Sequence, residues 1–392
     1  MARNTNQTIL TIGFELEMIA YHLPSPGHDC INLLIAKHLR KGLEATFTNL
    51  LFSPYQAPVT HVGAANSMLV IASSPCLTPV VDWIGDNPKL RHFFVTSEPE
   101  CLYGIPDNRR EFAAGLEVRT PILRLGSWQI VVENVLKSLS AVPGAIIGFT
   151  QQCGLHVHIG RRGGFELSHI KGLAKAVVIF EEDIERTWHP AHRCGVGSEL
   201  YADSNRKTSV SLKTLNSTLE MVRLIEQQNT ISGVRGIICD VDVGHRDFKY
   251  NFQSLVELGS IEFRQAQATL DKDWVVGWVS MLVKFVRASE VVSEKLFEKF
   301  VEAADNGEDR LSEFLEWGID GNGEDECDGE EIREDRCRDE GGLGDQGSGE
   351  REECGGDLAL LVANLGTLPS GGRDDIICGL QSLNDASAYF FL

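Results

Sequence analysis

The sequence predicts an α+β fold: a largely antiparallel sheet with helices packed outside it. Three observations carry that expectation. Strand-like and helix-like segments follow one another without the regular alternation that builds a parallel sheet. The strand-like segments alternate apolar and polar residues, as half-buried strands do. The helix-like segments carry apolar stripes on one side only.

Residues 8–19 alternate and are rich in β-branched side chains, which predicts the first strand. Residues 26–47 place Ile31, Leu34, Ile35 and Leu39 at helical spacing. Short strands are expected at 68–73, 92–96 and 115–119, the last stopped by Pro121. Ser127 should cap a helix to about Leu139, and 145–149 and 155–159 read as strands joined by QQCG. Ser168 should cap a long helix to Trp188, with Ile170, Leu173, Val177 and Phe180 inward. After a loop come a helix at 215–228, a hairpin of 250–255 with 259–265, and one continuous helix over 272–300.

Together, residues 8–301 should form the catalytic or binding domain. Residues 302–357 hold 22 acidic and 5 basic residues among many glycines, too little apolar surface to offset the entropy of ordering, and are expected to be a disordered insertion. Residues 358–392 regain apolar periodicity and are expected to pack back as a helical segment.

The chain carries a net charge of -20, but the insertion accounts for all except -3 of it. Such a balance is unsuited to gripping a nucleic acid by counterion release. Ten cysteines without a CxxC pair predict reduced thiols and a cytoplasmic protein. Residues 1–20 set Glu15 and Glu17 where a secretion signal needs an unbroken apolar core. The most apolar window, 274–286, is interrupted by Lys284 and is too short for a bilayer, so no membrane span is expected.

No GxxxxGK[ST] loop is present. The GxGxxG of Gly342, Gly344 and Gly347 lies in the acidic stretch, follows no strand, and contains Asp345, which would repel a pyrophosphate. The informative pattern is polar residues at i and i+2 inside apolar strands, a spacing that puts both on one face of a sheet. Glu15 and Glu17, Glu117 and Arg119, His156 and His158, and Glu262 and Arg264 all show it. One such pair describes the solvated side of a strand. Four of them would gather carboxylates, imidazoles and guanidiniums on one surface, which divalent cations and phosphates would satisfy. The carboxylates suit Mg²⁺, or Mn²⁺ where an imidazole joins them, and the arginines suit phosphate oxygens. A nucleotide polyphosphate reached through metals fits this set.

The segments GFELE, GLEVRTPIL, CGLHVHIG and YNFQSL with GSIEFRQAQATLD, in that order, resemble the amidoligase family of glutamine synthetase-like carboxylate-amine ligases over residues 9–300. The resemblance implies a curved antiparallel sheet lined with metal-binding glutamates, with ATP as phosphoryl donor and Mg²⁺ or Mn²⁺ as cofactor. It also implies a reaction that phosphorylates a carboxylate and lets an amine displace the phosphate. The substrates would be a small-molecule or peptide carboxylate and an amine. Carried over, Glu15 and Glu17 would serve different metals, Glu117 would be the central-strand ligand and His156 the metal-side imidazole. His158 would reach the nucleotide phosphates, Glu262 would complete a metal site, and Arg264 would brace the transferring phosphoryl group.

Arg193, in a loop, is a candidate second phosphate clamp, and Lys249 and Asn251 are candidates for the nucleotide side of the pocket. Two departures fall on the substrate side. Ala266 and Ala268 stand where the family has a histidine and a glycine, and Glu98 and Glu100 replace an Asp-x-Ser element. Competing expectations are a phosphotransferase of guanidino-kinase type, a cupin-like oxygenase sharing the HxH signature, and a binding protein without turnover. The cupin lacks its glutamate, since Arg162 and Gly163 occupy that place.

Overall fold

The structure, a computed structural model, describes residues 10–22, 31–46, 69–73, 92–110, 112–190, 193, 202–240 and 247–318. It is α+β. Strands β1 (Leu10–His22), β2 (Leu69–Ser73), β3 (His92–Ser97), β4 (Ala113–Arg119), β5 (Leu123–Arg124), β6 (Ala145–Gly148), β7 (Gly154–Arg161), β8 (Tyr250–Asn251) and β9 (Ser260–Gln267) form one sheet. Its order is β2-β3-β4-β1-β7-β9-β8, with β5 and β6 also paired to β1. Every ladder is antiparallel. Among the described residues the sheet does not close, so the HxH segment is not set in the barrel that a cupin requires.

The helices are α1 (Ile31–Thr46), α2 (Asp107–Arg110), α3 (Trp128–Ser140), α4 (Leu167–Trp188), α5 (Asn205–Thr208), α6 (Thr218–Glu226), α7 (Ile231–Cys239), α8 (Ser254–Glu257), α9 (Lys272–Val291), α10 (Glu294–Asp305) and α11 (Leu311–Glu316). Alternation sorts the two faces of the sheet. Leu10, Ile12, Phe14, Leu16 and Met18 of β1 join Leu116 and Val118 of β4, Leu155, Val157 and Ile159 of β7, and Ile261 and Phe263 of β9 in one buried cluster with α3, α4 and α9. Burying each such side chain contributes roughly 1.5–3 kcal/mol, which fixes the register and forces the intervening residues to the opposite face.

Several elements differ from the sequence expectation for identifiable reasons. Helix α4 begins one residue before Ser168, because Glu166 caps it and His169 returns the bond in a capping box. The predicted helix over 272–300 divides at Val292, which is extended (φ -65, ψ 125), and α10 restarts after Ser293. The first arm of the predicted hairpin is only two residues long, since Asn251 Oδ1 accepts the Gln253 N–H at 2.9 Å and turns the chain into α8. Helix α7 was not anticipated. Its signal was Thr230, whose hydroxyl accepts the Gly233 N–H at 3.0 Å as an N-cap.

The first part of the acidic stretch is helical, against the expectation of a disordered insertion from 302. Residues 302–318 complete α10 and form α11, and Phe314, fully buried, meets Phe180 at 4.6 Å, Phe285 at 5.5 Å and Phe300 at 5.6 Å between ring centroids. The remainder, 319–357, and the expected helical segment at 358–392 lie outside the described residues. Replacing 302–357 by a short Gly/Ser linker should therefore cost roughly 3–5 kcal/mol for the loss of Phe314 alone. A urea midpoint equal to that of the unaltered chain would contradict this packing role.

Candidate active site

Register across the sheet brings the paired polar residues together on the face opposite the core. Glu15 stands between Arg119 of β4 and His156 of β7, and Glu17 faces Glu117. Gly13, His158, Glu262 and Asn251 follow one another across β1, β7, β9 and β8. These residues line a cleft of about 390 Å³, joined at one end by Glu98 and Glu100 and at the other by Asp247, Ser254 and Glu257.

The cleft holds one compact set of potential ligands. Side-chain donor atoms of Glu15, His158 and Glu262 lie within 4.8 Å of one another. His158 Nε2 is 3.6 Å from Glu15 Oε1 and 4.0 Å from Glu262 Oε1. That nitrogen is buried and has no hydrogen-bond partner among the described residues. Two carboxylates converging on an orphaned imidazole nitrogen are a donor set that a divalent cation fits, Mn²⁺ better than Mg²⁺ because of the nitrogen. His156 sits deeper, with Nδ1 3.5 Å from both Glu15 Oε2 and Glu262 Oε1 and Nε2 3.7 Å from Glu17 Oε1. The compact group thus includes His158, the imidazole expected on the phosphate side, while His156 lies beside it.

Burial works against the Glu15 carboxylate, but the imidazoles of His156 and His158 beside it and the charge of Arg119 hold its pKa well below the usual range. For Glu262 burial is likewise outweighed, by Arg264 at 2.6 Å and by His158, so its pKa is lowered. Burial also opposes a charge on His158, yet Glu15 and Glu262 raise its pKa above the ordinary value. Glu98 goes the other way. Burial, then Glu17 and Glu100, push its carboxyl up.

One backbone N–H and two side chains hold the carboxylates in place. The Gly154 N–H donates to Glu17 Oε2 at 2.7 Å, Asn251 Nδ2 donates to Glu262 Oε2 at 2.7 Å, and Arg119 pairs with Glu117 and, at 3.3 Å, with Glu15. A Cβ at Gly115 would lie 2.0 Å from the Glu98 carbonyl oxygen, so only glycine lets the chain at Glu98 cross β4 this closely. Strand β9 carries a bulge: Leu155 pairs with Ala266 but Val157 with Phe263, leaving one extra residue opposite His156. Ala266 consequently falls on the core side with Leu155 and does not enter the cleft.

Two candidates are corrected. Arg193 is buried, and its guanidinium donates to backbone carbonyls: Gln265 at 3.2 Å, Gln151 at 3.3 Å, Arg264 at 3.2 Å and Ala266 at 2.9 Å. It plugs the bulge in β9 rather than presenting its fork to a phosphate. Lys249 is also absent from the cleft. It is fully buried behind the sheet, paired with Glu185 and 3.9 Å from Glu181 of α4. Arg193→Met should lower stability by at least about 3 kcal/mol through unsatisfied carbonyls. A phosphate clamp would instead lose ATP affinity at unchanged stability, and that outcome would reverse the correction.

Ser254 and Ser260 belong to the cleft but carry no role in the sequence reading. Ser260 was detectable, since it precedes Glu262 and Arg264 at the same two-residue spacing.

A profile of the family described as "putative amidoligase enzyme" matches residues 64–286. That span includes Glu117, His156, His158, Asn251, Glu262 and Arg264, while β1 with Glu15 and Glu17 precedes it. A comparison with curated proteins finds no match. Among the described residues no helix is long and apolar enough to cross a membrane.

Proposed function

The chain belongs to the amidoligase family, whose name denotes amide-bond-forming ligases, and from that premise we propose an ATP- and Mg²⁺- or Mn²⁺-dependent carboxylate-amine ligase working through an acyl phosphate. The sheet would then be of the glutamine synthetase-like kind. The observation that carries the reading is the Glu15, His158 and Glu262 trio, set in a cleft with further carboxylates and two arginines.

Bound Mg²⁺ or Mn²⁺ would screen the polyphosphate and polarise its terminal phosphoryl group. The chain's own residues divide the remaining work. Glu15, Glu262 and His158 would hold one cation, with Glu17, Glu117 and His156 beside it for a second. Arg264, anchored on Glu262, would brace the phosphoryl group as it passes to the substrate carboxylate with ADP leaving. The amine nitrogen would then attack the acyl carbon and phosphate would depart. Glu98, whose proton affinity is raised, is suited to take the proton the amine must lose. Asn251 orients Glu262. Adenylation is the chemical alternative, and the nucleotide product separates the two: this reading expects ADP and phosphate to form only with divalent metal, and AMP with pyrophosphate would overturn it.

A further inference from the structure

His158 has two ring nitrogens in unlike surroundings. Nε2 faces Glu15 and Glu262, whereas Nδ1 lies 3.1 Å from Ser260 Oγ and 3.4 Å from Ser254 Oγ. The two hydroxyls are 3.3 Å apart, and both serines are buried, at 6% and 5% exposure. An imidazole binds a cation only through an unprotonated nitrogen, so with Nε2 as ligand the ring proton has to sit on Nδ1 and needs an acceptor. A hydroxyl supplies it, and unlike a carbonyl it has a proton of its own to place. Ser254 Oγ is within reach of that proton. The partner of Ser260 across the ladder is Gly160.

We propose that Ser260, backed by Ser254, is a positioning residue for the cation site: its hydroxyl accepts the Nδ1–H of His158 and so aims the Nε2 lone pair between Glu15 and Glu262. The proposal rests on the reading of this trio as a metal site. Without the hydroxyl the buried Nδ1–H loses its acceptor, and the proton is better placed on Nε2, facing two carboxylates and blocking the cation. The ring also loses the contact that fixes its angle.

The test is Mn²⁺ titration of the full chain, followed by the electron paramagnetic resonance of the free ion. Ser260→Ala should bind Mn²⁺ about 10- to 100-fold more weakly than wild type, with the melting temperature of the metal-free protein unchanged. Ser260→Thr keeps the hydroxyl and should restore most of the affinity, and Ser254→Ala should lose less than Ser260→Ala. Wild-type affinity in Ser260→Ala, or equal weakness in Ser260→Thr and Ser260→Ala, would overturn the proposal while leaving the metal reading intact. A wild-type chain that binds no Mn²⁺ would overturn the metal reading and this proposal together.

Discussion

Glu262→Gln should lower ATP-dependent turnover at least ~100-fold and weaken divalent-metal binding in step, because it removes a charge that both holds a cation and offsets developing phosphoryl charge. Glu15→Gln should do the same. Each carboxylate meets His158 in the trio, and each is kept ionised by its neighbours despite burial. Glu262→Gln also leaves Arg264 without its partner at 2.6 Å, so some loss of stability is expected. The diagnostic quantity is therefore metal affinity in the folded fraction, measured beside steady-state turnover. Glu17→Gln should cost a comparable factor through the second cation position, where His156 Nε2 lies 3.7 Å away. Full turnover in any of the three variants would show that the cleft's carboxylates are not its metal ligands.

Arg264→Lys should lower kcat by roughly 10² to 10³ while leaving ATP affinity and melting temperature close to wild type. Lysine preserves the charge and can still pair with Glu262, which is all that a structural role would demand. It cannot reproduce the planar fork that grips two oxygens of a phosphoryl group in transit. The structure gives Arg264 a setting compatible with that work. Its backbone is fixed by the bond from its N–H to the Lys249 carbonyl at 2.8 Å and by the Arg193 plug behind the bulge, and its side chain lines the cleft. Parallel losses of stability and activity in the variant would mark it as a fold residue that lies near the site.

The cleft was legible where chemistry follows from strand alternation. Glu15, Glu17, Glu117, His156, His158 and Glu262 are placed by a period of two and by the apolar residues between them, and ladder register does the rest. Lys249 and Arg193 were misread for one reason. Lys249 lies two residues before Asn251 of the cleft and Arg193 lies in a loop after α4, but each is held away from the cleft, by Glu185 and Glu181 of α4 for Lys249 and by four backbone carbonyls for Arg193. No periodicity reports such partners, since they are distant in the chain. The β9 bulge is invisible for the same reason, and it decides that Ala266 faces the core. The divided α9 and α10 were readable in principle, as two β-branched residues followed by Ser293 form a stop and a restart. Aromatic packing around Phe314 was hidden by the acidic composition that surrounds it.

The proposed activity is tested most directly by mass spectrometry of reactions containing the full chain, ATP, Mg²⁺ or Mn²⁺, and a pool of amino acids and small peptides. The expected result is a new species whose mass equals one carboxylate plus one amine less water, formed together with ADP and phosphate and absent without metal. A phosphorylated guanidine formed without loss of water, or ATP consumed with no condensed product from any acid and amine, would contradict the ligase.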